Sequence, residues 1–194
     1  MLLIAGLGNP SSEYNHTRHN LGFMAVDYFI EDQLKLPLQF QNNCQAGILK
    51  TSVAGKSVLF AKPQTYMNLS GLSIKALTDY YKIPVKNILI IQDDLELGLL
   101  RFKYQNTHGH SGHNGIRNIH QELGTTDYAR LKLGIGRPKN PNTSVSHFVT
   151  EKFLPEELLS LESFLKSINN SLMHFITEGF TKTVEHFNNK RVQL

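Results

Sequence analysis

The fold is decided by the stretch Asn87-Ile88-Leu89-Ile90-Ile91-Gln92-Asp93-Asp94. An uninterrupted aliphatic run of this length is typical of a central strand that is covered on both faces of a sheet. The run stops at two carboxylates. Because ligands in open α/β sheets gather beyond the carboxyl ends of the strands, we expect Asp93 and Asp94 to mark a functional site.

Strand and helix patterns alternate on both sides of this run. The predicted strands are 2–7, 48–53, 57–62, 99–104 and 128–135, and the predicted helices are 20–35, 70–81, 115–123, 155–178 and 180–188. Such alternation predicts an α/β fold, a twisted mixed, largely parallel sheet flanked by helices on both faces. The 194 residues suit a single domain, 1–194, with a helical C-terminal part.

The composition is that of an ordinary folded protein, with 40% hydrophobic and 19% charged residues, too apolar for a disordered chain. The 20 Lys and Arg against 16 Asp and Glu leave a net charge of +4, which permits a polyanionic partner without requiring one. The only cysteine, Cys44, excludes an internal disulfide and favours a reducing compartment. With no apolar run of membrane-spanning length and no basic leader, we expect a cytoplasmic protein that does not bind a membrane.

The first strand leads into Gly6-Leu7-Gly8-Asn9-Pro10-Ser11, which imitates a dinucleotide-binding loop. Ser11 stands where the third glycine would be, Pro10 interrupts the turn, and no helix follows directly. We therefore favour a tight turn that presents the Asn9 amide over a nucleotide site.

His19 lies between Arg18 and Asn20, where a loop passes into a helix. A lone histidine at such a place is usually a capping or half-buried residue. Asp93 changes this interpretation, because a carboxylate that accepts the Nδ1 proton of His19 leaves Nε2 free as a general base. We predict that the two residues form a water-activating pair.

Two further asparagines, Asn68 and Asn114, stand beside turns. Their amides can bind a substrate carbonyl, hold a water or stabilise an oxyanion, although each taken singly is more often a turn or capping residue. A metal site built on His108, His110 and His113 is an alternative that we disfavour, because the loop lacks the fixed ligand spacing of a catalytic zinc site. No serine or cysteine stands in a nucleophile pattern.

Basic residues are frequent in the stretch that borders His113: Lys103, Arg117, Arg130, Lys132, Arg137 and Lys139. Solvated charge is the default interpretation of each, but several on one rim could clamp the phosphates of a nucleic acid. Lys103 and Lys132 both fall in predicted strands, and the sequence does not say whether they share a face.

Five motif blocks between residues 2 and 138 resemble, in the same order, those of bacterial-type peptidyl-tRNA hydrolases. They are Gly6-Leu7-Gly8-Asn9-Pro10 with Tyr14 and Thr17-Arg18-His19-Asn20-Leu21-Gly22-Phe23; Lys62-Pro63-Gln64-Thr65-Tyr66-Met67-Asn68-Leu69-Ser70-Gly71; Asp93-Asp94-Leu95-Glu96-Leu97; Gly112-His113-Asn114-Gly115; and Arg130-Leu131-Lys132-Leu133-Gly134-Ile135-Gly136-Arg137-Pro138. Five blocks in register are far more specific than any one of them.

The resemblance implies a monomeric, cofactor-free and metal-free enzyme that releases tRNA by cutting its ester bond to a peptide. In it His19 would be the general base and Asp93 would orient it. The implied substrate-binding residues are Asn9, Tyr14, Tyr66, Met67, Asn68, His113 and Asn114, and the implied phosphate contacts are Lys103, Arg130 and Lys132. A metal-dependent hydrolase and an RNA-binding module that shelters the acceptor end without cutting it remain the rival hypotheses.

The sequence departs from the family pattern in three places. Ser11 replaces the usual glycine, so a left-handed backbone there would cost about 1 to 2 kcal/mol. The acidic turn at Glu96-Leu97-Gly98-Leu99 lacks the usual proline-containing insertion, and residues 106–111 are longer and richer in histidine. We expect an altered substrate rim around an unaltered pair of His19 and Asp93.

Overall fold

The computed structural model describes residues 1–106 and 109–188. The strands in this part of the chain are β1 Leu2–Gly6, β2 Gln39–Gln41, β3 Ala46–Val53, β4 Lys56–Pro63, β5 Ile88–Asp94, β6 Phe102–Asn106 and β7 Ala129–Gly134. The α-helices are α1 Leu21–Phe29, α2 Ser70–Tyr81, α3 Asn114–Leu123, α4 Val145–Thr150, α5 Pro155–Glu178 and α6 Phe180–Thr183. Wider π-type turns continue α1 over Ile30–Leu34 and α6 over Val184–Asn188.

The described strands form one mixed sheet in the order β2-β3-β4-β1-β5-β7-β6. The four central strands, β4, β1, β5 and β7, run parallel, and the strands outside them pair antiparallel. Strand β3 turns directly into β4 through Ala54 and Gly55, whose φ values of 48° and 76° suit a tight hairpin turn. The predicted α/β class, with a sheet that is parallel at its centre, is confirmed.

Helices cover the sheet on both faces, as the alternation of elements predicts. Helices α1 and α5 pack on one face, and α2 and α3 pack on the other. Strand β5 is buried along its whole length because it contacts both layers, which is the reason that its first four residues are all aliphatic. None of the helices in the described residues combines the length and the apolar character needed to cross a membrane.

One strand prediction needs correction, and one strand was not predicted. Strand β6 begins at Phe102 and not at residue 99, because Leu100 takes a left-handed φ of 58° and its N–H donates to the Gly134 carbonyl at 3.1 Å, which makes a turn. Strand β2 was not expected, because its sequence Gln39-Phe40-Gln41 lacks an apolar face. It forms through backbone pairing with β3 at the edge of the sheet.

The glycines of the first loop serve close packing and not phosphate binding. A Cβ at Gly6 would lie 2.2 Å from the Gly22 carbonyl oxygen, and a Cβ at Gly8 would lie 2.6 Å from the Phe23 ring. The space that a dinucleotide would need is thus filled by the start of α1. These contacts exclude the nucleotide alternative and bring the segment that precedes α1 against the end of β1.

Ser11, which stands where the family pattern has glycine, adopts a positive φ, with φ 85° and ψ 144°. This region is almost closed to residues with a Cβ, and a non-glycine residue there costs on the order of 1–3 kcal/mol. We expect Ser11→Gly to raise the free energy of unfolding by about 1 kcal/mol, after the larger chain entropy of glycine is subtracted. Urea denaturation would measure the change.

The matched control is Ser12→Gly, because Ser12 lies in the adjacent 3-10 turn Ser12–Tyr14 and does not have positive φ. Glycine there should lower the free energy of unfolding by up to about 1 kcal/mol. If both substitutions lower it, the backbone of residue 11 is not strained.

Candidate active site

A crevice of about 210 Å³ opens at the carboxyl end of β5. Its floor is the end of that strand, one wall is the loop before α3, and the other wall is α4. The lining residues are His19, Gln92, Asp93, Asp94, Leu95, Glu96, His110, Ser111, Gly112, His113, Asn114, Val145, Ser146 and Val149. Among the predicted site residues, the crevice therefore brings together His19, Asp93, His113 and Asn114.

His19 and Asp93 are hydrogen-bonded to each other, although 74 positions separate them in the chain. The His19 Nδ1 atom lies 2.8 Å from Asp93 Oδ1. Both side chains are largely buried, with exposed fractions of 12% for His19 and 3% for Asp93. Since an ionised carboxylate only accepts, Nδ1 carries the proton and the lone pair of the neutral ring is on Nε2.

His113 donates a second hydrogen bond to the same oxygen. Its Nδ1 accepts the backbone N–H of Ile116 at 3.3 Å, because His113 is the residue that caps α3. The proton of the neutral ring must then be on Nε2, which lies 3.0 Å from Asp93 Oδ1. The helix cap thereby determines the tautomer of His113 and makes it a donor to Asp93.

Electrostatic interactions within the cluster keep Asp93 ionised. Burial alone would raise the pKa of the Asp93 carboxyl, but its electrostatic interactions and hydrogen bonds with His19 and His113 outweigh burial and hold the pKa well below its usual range. Burial alone would lower the pKa of His19, and Asp93 outweighs it by charge and hydrogen bonding, so the pKa is raised above 6.5. His19 must lose its proton to act as a base, so general-base activity should rise with pH through this raised pKa.

The same three side chains are the candidate metal ligands among the described residues, with donor atoms within 4.8 Å of one another. A neutral imidazole that binds a metal through Nε2 carries its proton on Nδ1 and usually donates it. The Nδ1 atom of His113 instead accepts the Ile116 N–H. The hydrogen-bonding pattern therefore fits an acid–base pair better than a metal centre. Of the alternative histidine cluster, His108 lies outside the described residues, and His110 Nδ1 accepts the Gly112 N–H at 3.1 Å.

Asn9 is buried in a network that joins the first loop to the second motif block. Its N–H donates to Asn20 Oδ1 at 2.8 Å, and Asn20 Nδ2 donates back to the Asn9 carbonyl at 3.0 Å. Its own Oδ1 accepts the Met67 N–H at 2.8 Å. The amide orientation is thus determined, and Nδ2, which bonds to none of the described residues, is the donor left for a ligand.

The other predicted substrate residues are not among those that line the crevice. Met67 is buried, and its sulfur lies so near Gly115 that a Cβ there would be 2.7 Å away. Tyr66 and Asn68 are exposed on either side of Met67, and Tyr14 is half-buried beyond the first loop. None of these four lines the crevice itself.

The three predicted phosphate contacts differ sharply in exposure. Lys103 and Lys132 are paired directly across β6 and β7, so they share one face of the sheet. Lys103 is exposed, whereas Lys132 Nζ bonds to the buried Asp94 at 2.7 Å. Arg130 is only 2% exposed, and its Nη1 donates to the Gly109 carbonyl at 3.2 Å. Its burial argues against the direct phosphate contact that the sequence predicted for Arg130.

Sequence reasoning missed the wall that α4 provides through Val145, Ser146 and Val149. A signal for the helix exists, because the Ser144 side chain caps it by accepting the His147 N–H at 3.3 Å. No sequence pattern could indicate that this helix faces His19. Gln92 was also missed, although it is the one polar residue within the aliphatic run and its buried Oε1 bonds to none of the described residues.

An α/β sheet that presents a buried histidine and aspartate in a crevice at the end of its central strand is an arrangement typical of a hydrolase. The comparisons with known proteins give the particular family, since a family model for peptidyl-tRNA hydrolase matches residues 3–194. The chain belongs to the bacterial peptidyl-tRNA hydrolase family and is an enzyme of that class. The match extends past the five motif blocks into the helical C-terminal part.

Relatives and solved structures of this family cover nearly the whole chain. A peptidyl-tRNA hydrolase of Bdellovibrio bacteriovorus is 43% identical over 188 residues, which are 97% of this chain and 100% of that protein. One from Bacillus licheniformis is 40% identical and covers 98% of this chain and 100% of its own length. The crystal structure of Acinetobacter baumannii peptidyl-tRNA hydrolase is 31% identical with a TM-score of 0.87, and covers 98% of this chain and 96% of that one. The crystal structure of a complex of peptidyl-tRNA hydrolase with n-propanol is 29% identical with a TM-score of 0.91, and covers 100% of this chain and 97% of that one.

Replacement of Asp93 by asparagine tests the electrostatic basis of the site. Asp93→Asn removes the charge that raises the pKa of His19 and leaves the burial that lowers it, so the pKa should fall from above 6.5 to below 6.5. The midpoint can be followed by NMR titration of the labelled imidazole. Asp94→Asn is the matched control, because Asp94 pairs with Lys132 and should leave the midpoint in place. An unchanged midpoint in Asp93→Asn would show that Asp93 does not control His19.

Proposed function

We propose that this enzyme hydrolyses the ester bond between a peptide and the 3′-terminal ribose of tRNA, with His19 as the general base that activates water. The observation that carries the proposal is the hydrogen bond from His19 Nδ1 to Asp93. This bond leaves a free lone pair on Nε2 of a ring that lines the crevice. A neutral imidazole oriented in this way is suited to remove a proton from water at neutral pH.

The proposed reaction proceeds in two steps. Nε2 of His19 takes a proton while the water oxygen attacks the ester carbonyl carbon, and the imidazolium that forms is stabilised by the charge of Asp93. The bond from that carbon to the ribose oxygen then breaks, and Nε2 gives the proton to this leaving oxygen, which becomes the ribose hydroxyl. Peptide carboxylic acid and free tRNA result. One oriented base contributes roughly 10²- to 10⁴-fold in rate, or about 3 to 5 kcal/mol of barrier.

Neutral amides supply the remaining polar contacts in this proposal. Asn114 lines the crevice beside His113 and can hold the water or the developing oxyanion. The Asn9 Nδ2 group, whose orientation is set by the bond from the Met67 N–H to Oδ1, can donate to a peptide carbonyl. Tyr66 and Asn68, which are exposed, would contact the terminal adenosine, and half-buried Tyr14 would complete the proposed set of substrate contacts.

The proposed partner is the acceptor end of peptidyl-tRNA, bound by a monomer without a cofactor. Lys103 is the best-placed phosphate contact, because it is exposed on the face of the sheet that carries Lys132. Backbone phosphates are common to every tRNA, so contacts of this kind suit an enzyme that accepts all of them.

His19→Asn should lower the turnover of an N-blocked aminoacyl-tRNA by about 10²- to 10⁴-fold, because the water then lacks a base. Release of free tRNA in the presence of a chelator measures it, and tRNA binding should persist. His16→Asn is the matched control, since His16 is exposed in the same loop. Full turnover by His19→Asn would refute the mechanism, and loss of wild-type activity on chelation, restored by zinc, would favour the metal-dependent alternative.

Lys103→Ala should raise KM with little change in kcat and should reduce the slope of log affinity against log salt by about 0.7 to 0.9, the loss of one phosphate contact. Titration of tRNA binding at several salt concentrations measures the slope. Lys166→Ala is the control, because Lys166 is exposed on α5, which covers the opposite face of the sheet. Equal slopes for wild type and Lys103→Ala would remove Lys103 from the phosphate site.

A further inference from the structure

Arg18, the residue before His19, carries a charged side chain that is almost completely buried, with 3% exposure. Its Nη2 lies 2.8 Å from Glu157 Oε2 at the start of α5. The same Glu157 oxygen accepts the Leu154 N–H at 2.7 Å and so caps α5. A buried charge of this kind is costly unless it is paired, and Glu157 is the acid that pairs with Arg18.

The Arg18 guanidinium is also close to two aromatic rings. Its Cζ is 4.6 Å from the centre of the Phe148 ring and 5.0 Å from that of Phe153. Both distances are within the range of a favourable cation–π contact. Phe148 belongs to α4, the helix whose other side forms a wall of the crevice, so Arg18 connects the His19 segment to that wall.

The backbone makes the same connection. The Arg18 N–H donates to the Glu151 carbonyl at 3.0 Å, and the Phe153 N–H donates to the His16 carbonyl at 3.2 Å. Thr17 and Lys152 pair between them as an antiparallel bridge. The end of α4 is thus fastened to the three residues that precede His19.

Helix α4 depends on these contacts because open space lies on both of its sides. Val145, Ser146 and Val149 face the crevice, while Phe148 and Glu151 line a second cleft of about 500 Å³ behind the helix. Arg18 lines this rear cleft as well. A helix of six residues is too short to be stable without tertiary contacts. Its position relative to His19 therefore depends on the backbone bonds at its end and on the Arg18 side chain, which contacts Phe148 within the helix itself.

We propose that Arg18 is a positioning residue of the reaction, which holds α4 across the crevice from His19 and so determines how tightly the peptidyl end of the substrate is bound. This role rests on the proposed ester hydrolysis at His19. Arg18 acts on the substrate wall and not on the base, because the groups that raise the pKa of His19 are its contacts with Asp93. Loosening α4 should weaken substrate binding and leave proton transfer intact.

The test compares Arg18→Lys and Phe148→Leu with wild type. Lysine keeps the charge that faces Glu157 and loses the planar stacking, and leucine keeps an apolar side chain on α4 and removes the ring. Both variants should raise KM by about 3- to 30-fold, the equivalent of one partly desolvated cation–π contact, with kcat within about 2-fold. The acid limb of the pH–rate profile should stay at the wild-type pH in both.

A second pair of variants separates this role from general stability. Glu157→Gln keeps a side chain that can cap α5 and removes the charge that pairs with Arg18, so KM should rise. Glu178 lies at the far end of the same helix and forms an ion pair with Lys182. Glu178→Gln removes this ion pair, and KM should not change. Thermal melting identifies any variant that is unfolded at the assay temperature. If Arg18→Lys is unfolded, Phe148→Leu still tests the proposal, because it leaves the ion pair of Arg18 with Glu157 intact.

An unchanged KM in folded Arg18→Lys and Phe148→Leu would overturn the proposal. A fall in kcat together with a shifted acid limb would also overturn it, because Arg18 would then act on His19 itself. The proposed function fails by a different result: a wild-type rate without an acid limb, or full turnover by His19→Asn.

Discussion

The crevice depends on a single oxygen atom, Asp93 Oδ1, which accepts hydrogen bonds from two imidazoles. A carboxylate as buried as this one would take up a proton if nothing compensated for its lost hydration. The two N–H donors compensate for it, and in return the carboxylate determines which nitrogen of His19 is left without a proton. The ionisation state of Asp93 and the tautomer of His19 are therefore one property of the structure.

This arrangement requires the backbone to come very close at two places. The close contact of Gly6 with Gly22 allows the His19 segment to lie against the end of β1, next to β5 in the sheet. Gly115 allows the start of α3 to approach Met67, so that His113 reaches Asp93 while it caps its own helix. Larger residues at these glycines would separate the imidazoles from the carboxylate. The glycines of the motif blocks thus act through packing, which is why a phosphate-binding interpretation of the first loop fails.

Much of the molecule could be predicted because the relevant signals are local. The bounds of α2 and the hairpin of β3 and β4 follow from periodicity and turn residues, and the burial of β5 follows from its aliphatic run. Strand β2 could not be predicted, since Phe40 is exposed and only backbone pairing makes the strand. The early start expected for β6 failed because the left-handed turn at Leu100 is imposed by its bond to Gly134, a residue distant in sequence.

By itself, the sequence determined the class of fold, the identity of the paired histidine and aspartate, and the family, because apolar periodicity and five motif blocks in register are properties of the chain order. Only the tertiary structure decided that His113 shares the Asp93 oxygen, that Arg130 is buried while Lys103 is exposed, and that α4 forms a wall held by Arg18. Each of these depends on which face of a strand or helix meets another element far away in sequence. Such orientations are set by the packing of the whole chain, and no local pattern of residues encodes them.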